Sequence, residues 1–402
     1  MTVLASKKML LGVTGSIACY KAADLASKLT QLGADVDVVL TSAATQFVTP
    51  LTFQSVTGRK AYVDSDLWGA EGHVLHVNLG RNADLIAIAP ATANTLAKLA
   101  HGQADNLLTL AVLASKAPLL IAPAMDGGMY EHSATQANLE ILKSRGTTIV
   151  GPQSGHLASG LNALGRMTEP AELLGHIRRL LGRNGPLTGR KVIVTAGGTH
   201  ETIDPVRAIT NRSSGKQGYA LAQGAVDLGA EVTLISAPTS LAAPIGCAVI
   251  SVTSAEEMGD AVLSGAKDVD VLLMAAAVAD FRPDKLSKQK IKRVEGIPEV
   301  TLVANPDVLV ELSKSTSKKP KVVVGFAAES KDLLKNAQQK LETKKLDLIV
   351  ANDISAEDAG FEVDSNRVLL LDKSGKHEQL PLMSKEEVAR IVLQRVVELL
   401  GK

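Results

Sequence analysis

The stretch Lys8–Ala43, KMLLGVTGSIACYKAADLASKLTQLGADVDVVLTSA, decides the fold. Its first apolar run, Met9–Val13, reads as a strand buried on both faces, since such a strand has no solvent side to alternate with. The run breaks at Thr14-Gly15-Ser16, enters a helical pattern that ends near Gly33, and resumes as a second apolar run, Val36–Leu40. Strand, turn, helix and strand in that order make the repeating unit of a parallel sheet. Residues 190–237 repeat the order, with TAGGTHETIDPVRAITNRSSGKQG (195–218) lengthening the turn and DLGAEVTLISA (227–237) supplying the second strand. ADLIAIAPATAN (83–94) and VDVLLMAAAVAD (269–280) also echo one another, each an apolar strand that opens into small or polar residues. The expected fold is α/β, two doubly wound Rossmann-like parallel-sheet domains in tandem. LGRNGPLTGR (181–190), with three glycines and a proline, reads as the linker, so the expected domains are 1–182 and 183–402.

Composition supports this palette. The 402 residues are 46% hydrophobic but only 2% aromatic, so the cores must be built from Val, Ile, Leu and Ala. A net charge of +1 with interspersed signs points away from nucleic acid and membrane surfaces as partners. Cys19 and Cys247 are the only cysteines, one in each half, which argues against a disulfide scaffold and fits the cytoplasm. The apolar run after Lys7 and Lys8 is too short for a signal-peptide core, and no run is long enough to span a bilayer. Ser384–Leu400 reads as an amphipathic helix opened by a capping box, Ser384 and Glu387. The basic segment Asp284–Glu299 reads as a mobile loop.

Ligands of open α/β sheets bind at the carboxyl ends of the strands. The informative residues come just after strands: Gly15-Ser16, Thr41-Ser42, Pro90–Asn94, Pro123–Met129, Thr195–Gly218 and Asp280. The 195–218 stretch, rich in Gly, Ser and backbone donors, is suited to phosphate. A nicotinamide oxidoreductase is the nearest alternative. It is disfavoured because VTGSIACYKA lacks G-x-G-x-x-G and neither second strand ends in a carboxylate for the ribose hydroxyls. A flavin mononucleotide suits the short Ser/Thr/Gly turns better. Eight scattered histidines give no zinc motif, and no G-x-S-x-G follows a strand, so metal and serine hydrolases are disfavoured. Taken singly, the remaining candidates have bland readings: a lysine run is usually a solvated face, Phe326 ordinary core, Asp280 a turn cap.

Taken together and in order, the motifs resemble the bifunctional coenzyme A biosynthesis enzymes, in which phosphopantothenoylcysteine decarboxylase is joined to phosphopantothenate–cysteine ligase. The front half is similar through GSIACYK (15–21), His76 in HVNLG, PATAN (90–94) and PAMDGGMY (123–130). The back half is similar through DPVRAITNRSSGKQG (204–218), AAVAD (276–280), KIKR (290–293), NPD (305–307), GFAAE (325–329) and AND (351–353). The resemblance implies a ligase that uses CTP with Mg²⁺ to convert 4′-phosphopantothenate to an acyl-cytidylate, which the amine of cysteine then attacks. It places Met274, Ala275, Ala276, Asp280, Lys290, Pro306, Asp307, Phe326, Lys340 and Lys344 around the nucleotide. It sets Lys290 on the phosphates and Asn211 on the acyl carbonyl, with Arg207 supporting the loop or a phosphate. Which residues, if any, would hold the metal stays open.

For the front half the resemblance implies FMN held by Gly15, Ser16, Thr41, Thr92, Asn94 and Met125, with His76 as catalytic base and His73 three residues before it. The cofactor oxidises the cysteine end of the substrate, carbon dioxide leaves, and the enethiol is reduced to 4′-phosphopantetheine. Two positions depart from the family. Asp126 replaces the Asn of Pro-x-Met-Asn, and Ser159 replaces the Cys of the Ala-Cys-Gly loop that gives the last proton. Ionised Asp offers only acceptors where Asn offers donors. A serine gives up a proton far less readily than a thiol and would need a relay, for which His156 is the neighbour in sequence. Three outcomes stay open: Asp126 and Ser159 work as variants, the half stops at the enethiol, or it only binds FMN. A flavin-binding scaffold without catalysis is the non-enzyme alternative. The resemblance further implies a homo-oligomer, a dodecamer built from front-half trimers and ligase dimers.

Overall fold

A computed structural model of the chain describes residues 2–69, 74–292, 299–315, 319–329, 331–353 and 364–401. His73 and the Arg293 end of the basic segment lie outside these residues. The chain forms two compact units, Met1–Gly182 and Arg183–Lys402.

The first unit runs β1 (Lys8–Val13), α1 (Cys19–Gln31), β2 (Asp35–Leu40), α2 (Pro50–Thr57), β3 (Ala61–Val63), α3 (Leu75–Asn82), β4 (Leu85–Ala91), α4 (Ala93–His101), α5 (Leu107–Leu113), β5 (Leu119–Pro123), α6 (Gly127–Glu131), α7 (Ser133–Ser144) and β6 (Thr148–Ile149). A hairpin, β7 (Gln153–His156) with β8 (Asn162–Arg166), and a last helix, α8 (Pro170–Gly182), complete it. The main sheet has the order β3-β2-β1-β4-β5-β6 with every pair parallel. Alternate residues of β1 explain its apolar run. Met9, Leu11 and Val13 pack with α1 and α8 on one face, and Leu10 packs with α4 and α5 on the other. The expected doubly wound parallel sheet is present, and its strand order reverses between β1 and β4. That reversal opens a crevice at the carboxyl ends of these two strands.

The second unit runs β9 (Lys191–Ala196), β10 (His200–Asp204), β11 (Arg207–Thr210), α9 (Lys216–Asp227), β12 (Glu231–Ser236), β13 (Cys247–Ser251), α10 (Ala255–Gly265), β14 (Val271–Met274), β15 (Phe281–Pro283), β16 (Leu302–Ala304), α11 (Val308–Lys314), β17 (Val322–Glu329), α12 (Leu333–Thr343) and β18 (Leu348–Asp353). It ends with β19 (Ser365–Asn366), β20 (Val368–Asp372), β21 (His377–Gln379), β22 (Met383–Ser384) and α13 (Lys385–Leu400). Its sheet has the order β13-β12-β9-β14-β17-β18-β20-β21. The first six strands are parallel and reverse their order between β9 and β14. The last two are antiparallel additions. They add an antiparallel edge to the expected doubly wound parallel sheet: β20 and β21 are joined by a short turn, and a short turn can only reverse the chain. α13 is the expected amphipathic helix, with the Ser384–Glu387 capping box formed and Val388, Val392 and Val396 buried.

The stretch 195–218 differs from the long loop expected. Its middle folds into an antiparallel hairpin, β10 against β11, pairing His200 with Thr210. Alternating β-formers flank Asp204-Pro205-Val206, and the Asp204 carboxylate takes the amides of Val206 and Arg207 at 2.8 and 2.9 Å. An Asp that caps its own turn in this way sets the reversal. Among the described residues, no helix is long and apolar enough to cross a membrane.

Candidate active site

In the first unit, one hydroxyl ties the crevice together. Thr14 Oγ1 donates to the Pro90 carbonyl at 2.9 Å and accepts the Thr92 amide at 3.0 Å, so the ends of β1 and β4 are locked side by side. Gly15 comes next, and a Cβ there would stand 2.5 Å from Cβ of Ala43, so only glycine lets the turn pass the end of β2. Ser16 Oγ accepts from the Ala18 amide, Thr41 Oγ1 from the Ala44 amide, and Thr92 Oγ1 caps α4 through the Thr95 amide. Asn94 is exposed on the first turn of α4. All five therefore stand on one edge of the sheet, around hydroxyls and helix N-termini that suit a phosphate-bearing ligand.

His76 is the second residue of α3. A crossover helix runs antiparallel to its strands, which sets its N-terminus at the same edge as their carboxyl ends. His76 Nδ1 is buried and has no hydrogen-bond partner among the described residues. A buried polar atom left unpaired costs about 1–3 kcal/mol, so it asks for a ligand or substrate group. The glycine-narrowed turn, the hydroxyl set and this orphaned nitrogen fit a flavin phosphate and its reacting end.

Met125 and Asp126 come directly after β5. The Met125 amide donates to the Gly165 carbonyl at 3.0 Å, and a Cβ on Gly165 would come within 2.2 Å of the Met125 carbonyl. The β7–β8 hairpin is thereby pressed onto the end of β5. This contact brings the two departing positions together. Ser159 Oγ, at the hairpin tip, donates to Asp126 Oδ2 at 2.7 Å, and the other Asp126 oxygen caps α6 through the Gly128 amide at 3.0 Å. The Ser159 hydroxyl and the Gly128 amide hold the Asp126 carboxyl below the usual carboxylate range, so it is ionised at neutral pH. The relay expected through His156 is not what the structure builds: the serine proton is shared with Asp126. Neither cysteine stands in for the missing thiol. Burial pushes the Cys247 thiol up to about 12 and raises that of Cys19.

The second unit repeats the lock. Thr195 Oγ1 accepts the Ala276 amide at 3.0 Å, joining the ends of β9 and β14 as Thr14 joins β1 and β4. Gly197-Gly198-Thr199 then runs beside Ala275–Ala279, through the Ala277 amide to the Gly197 carbonyl at 2.8 Å and the Ala279 amide to Thr199 Oγ1 at 2.9 Å. Asn211 reaches the same point from β11's end, its Nδ2 donating to the Ala277 carbonyl at 3.2 Å. A cavity of about 140 Å³ opens here, lined by Ser213–Gly218, Ala275–Ala277, Phe326–Ala328, Asn352 and Lys385. Met274, at the end of β14, is buried beneath it.

Arg207 serves the loop. It pairs with Asp204 at 2.6 Å and donates to the Ile291 carbonyl at 3.2 Å. The Asp204 side chain is fully buried and also accepts the Ile291 amide at 3.2 Å. Burial pushes the Asp204 carboxyl up, but the amides of Val206 and Ile291 and the Arg207 charge outweigh it and hold it below the usual range. With the Ser287 amide on the Ile203 carbonyl at 3.0 Å, these bonds fasten the described part of the basic segment to the β10–β11 hairpin. The expectation of a loose loop is corrected there. Lys290, the residue before Ile291, is exposed and anchored by its neighbour.

A second cluster stands beside the cavity's strands. The Asn305 amide donates to the Asp280 carbonyl at 2.8 Å, and Asn305 Nδ2 to the Ala279 carbonyl at 2.8 Å, which seats Asn305-Pro306-Asp307 against Asp280. Lys344 pairs with Asp307 at 2.9 Å and Lys340 with Glu329 at 2.6 Å. Lys340, in the last turn of α12, and Lys344, its C-cap, are spaced one turn apart, but each already has a carboxylate. Burial raises the Asp307 carboxyl, yet Lys344 and the amides of Val310 and Leu309 outweigh it and hold it below the usual range. Sequence reasoning gave no role to Thr14, Thr195, Asp204 or Lys385, because partners that matter to them come from distant segments. Asn352 carried a signal in AND (351–353), but no role. Among the described residues, no group of three or more His, Cys, Asp or Glu side chains is placed to hold a metal.

Residues 2–182 match the Flavoprotein family, and residues 187–400 match the DNA/pantothenate metabolism flavoprotein C-terminal domain family. The coenzyme A biosynthesis bifunctional protein CoaBC of Vibrio vulnificus strain YJ016 is 46% identical over 403 residues, covering 100% of both chains. That of Bacillus subtilis strain 168 is 44% identical over 400 residues, covering 99% of this chain and 98% of its own. A solved C-terminal domain of a CoaBC protein covers 54% of this chain and 98% of its own at 39% identity, with a TM-score of 0.46. With identity of this degree over its whole length and a flavoprotein unit joined to a pantothenate-metabolism unit, the chain belongs to the bifunctional coenzyme A biosynthesis family.

Proposed function

We propose that the second unit joins cysteine to 4′-phosphopantothenate with CTP as the activating nucleotide, and that the first decarboxylates the resulting phosphopantothenoylcysteine to 4′-phosphopantetheine. The observation that carries this reading is full-length identity to the bifunctional relatives combined with two switch-point crevices, one in each unit. In the ligase, the substrate carboxylate attacks the α-phosphate of CTP, pyrophosphate leaves, and the amine of cysteine displaces CMP. Asn211 stands where Nδ2 can hold the acyl carbonyl as charge develops on it. Lys290, anchored through Ile291, meets the phosphates. Lys340 and Lys344 exchange their carboxylate partners for phosphate oxygens, and Met274, Ala275, Ala276, Asp280, Pro306, Asp307 and Phe326 shape the nucleotide's seat. Mg²⁺ enters with the triphosphate.

FMN, when bound in the first crevice, supplies two-electron oxidation of the cysteine end and returns the electrons. Gly15, Ser16, Thr41, Thr92, Asn94 and Met125 hold it, and His76 accepts the substrate proton. The Ser159–Asp126 bond favours a second reading of the last step. A serine hydroxyl bound to an ionised carboxylate is a poor acid, so protonation of the enethiol is slow and that species accumulates. The assembly is a homo-oligomer, a dodecamer by family resemblance, in the cytoplasm.

A nucleotide panel with 4′-phosphopantothenate and cysteine tests the ligase, read by pyrophosphate release. CTP should be strongly preferred, and equal use of ATP would reject the cytidine assignment. Mass analysis of the products from phosphopantothenoylcysteine tests the decarboxylase. Saturated thiol supports full turnover, enethiol supports the second reading, and unchanged substrate rejects both.

A further inference from the structure

The strand β10 buries two side chains, Glu201 at 3% exposure and Asp204 at 1%, and both are acids. An apolar residue would serve a strand that needed only packing, since a buried carboxylate is costly unless hydrogen bonds answer it. Asp204 is answered by the amides of its own turn, by Arg207 and by Ile291. Glu201 pairs with no cation among the described residues. It reaches instead across 54 positions of the chain, its Oε1 accepting the Ala255 amide at 2.9 Å.

Ala255 opens α10, where the helix dipole favours a negative group. That helix end has caps of its own: Ser254 Oγ accepts the Glu257 amide at 3.2 Å, and Glu257 Oε2 accepts the Thr253 amide at 2.6 Å. What Glu201 adds is a fastening for the hairpin. Beside it the His200 amide donates to the Thr253 carbonyl at 2.8 Å, and the Thr199 amide to the Ala277 carbonyl at 3.2 Å. These bonds seat the root of β10 between the segment after β14 and the start of α10. Glu201 stands opposite Ile209 in the ladder, two residues before Asn211, whose Nδ2 donates to the same Ala277 carbonyl. A Cβ on Gly198 would come within 2.8 Å of the Asn211 carbonyl oxygen, so the two arms of the loop meet closely there. The hairpin is thus held by two buried carboxyl groups, Asp204 at the turn, toward Lys290, and Glu201 at the root, toward Asn211.

We propose that Glu201 is a positioning residue for ligation, setting the hairpin root so that Asn211 meets the acyl oxygen when the amine of cysteine attacks. The inference rests on the ligase reading and deepens it. In that step the amine nitrogen bonds to the acyl carbon and negative charge gathers on the acyl oxygen. The bond from the acyl carbon to CMP then breaks, CMP leaving with the electron pair and the amine proton passing to solvent. A donor misplaced by about 1 Å can cost about a hundredfold in such a step. Formation of the acyl-cytidylate breaks a bond at phosphorus and gathers no such charge on the acyl oxygen, so Glu201 bears on the second step and not the first.

In the full chain, Glu201→Met, which keeps the length but removes the acceptor, and Glu201→Gln, which keeps an acceptor, are compared with wild type. Pyrophosphate released from CTP and 4′-phosphopantothenate without cysteine reads the first step, and product formed once cysteine is added reads the second. Glu201→Met should slow the second step about tenfold to a hundredfold and leave the first within about twofold. Glu201→Gln should recover most of that loss. Ala255→Pro deletes the donated amide at the first helical position, where Pro is favoured, and should reproduce the loss from the other side of the bond. Added to Asn211→Ala, Glu201→Met should cost less than about twofold more, since nothing is left to position. Wild-type rates in Glu201→Met, equal slowing of both steps, a full further loss on top of Asn211→Ala, or a Glu201→Gln variant as slow as Glu201→Met overturns the inference. Wild-type protein that releases no pyrophosphate from CTP would instead sink the ligase reading, so the two failures are distinct.

Discussion

The two units share a strand order and a lock yet build the rest of their crevices differently. In each, a threonine at the end of the first strand takes an amide from the strand across the reversal, Thr14 from Thr92 and Thr195 from Ala276, both at 3.0 Å. Beyond that bond they diverge. The first unit enters α1 at Cys19, while the second spends residues 197–215 on a hairpin before α9. The hairpin carries Asn211 to the reversal and fastens Lys290's neighbour. The shared sheet makes a crevice. The segment after the first strand gives each crevice its own shape and donors.

If the units act separately, mutations should respect the boundary. The largest effect is expected from Asn211→Ala, which removes a donor to the developing acyl oxygen. Ligase kcat should fall about 10²–10³-fold with decarboxylation unchanged. Equal loss of both activities would break the comparison. Gly15→Val should come next, since its Cβ has no room beside Ala43. Flavin affinity should fall about tenfold to a hundredfold, read by absorbance of the purified protein, with pyrophosphate release retained.

Asp204→Asn should act through Lys290, raising the CTP KM about tenfold with a smaller change in kcat. The sign of its pH response is set by the carboxyl being held low. The clamp is present above the unfolded pKa and is lost only as pH falls through the lower folded value. The CTP KM should therefore show no step from this group between neutrality and about pH 4. A step between about pH 5 and 6 that Asp204→Asn abolishes would refute the clamp. The smallest effects belong to the exposed pair. Ser159→Ala should change enethiol formation less than about threefold. Asp126→Asn combined with Ser159→Cys should shift the product from enethiol to saturated thiol, and no shift would show that this pair does not limit the last step.

Much of both crevices is legible in the sequence. Gly15, Ser16, Thr41, Thr92 and Asn94 can be placed because each comes after an apolar run, and runs mark strands. Asn211, Asp280 and Phe326 are reachable through ordered motifs. The hairpin in 195–218 is not, since its short strands are half exposed and its turn depends on the Asp204 side chain. Spacing shows that Lys340 and Lys344 lie one turn apart, but not that Glu329 and Asp307 meet them. Lys385 is invisible: in sequence it is one more lysine at the start of an amphipathic helix.

By itself, the sequence determined that strands buried on both faces alternate with helices, in two halves, with polar residues at the strand ends. Periodicity and composition are local properties, and they suffice for that. Only the tertiary structure decided that Ser159 would meet Asp126 across 33 residues, that Asp204 would grip Ile291, and that α13 would bring Lys385 to the cavity beside Ala275–Ala277. Such contacts depend on which elements pack side by side, and close packing of the whole core sets that where no short stretch can.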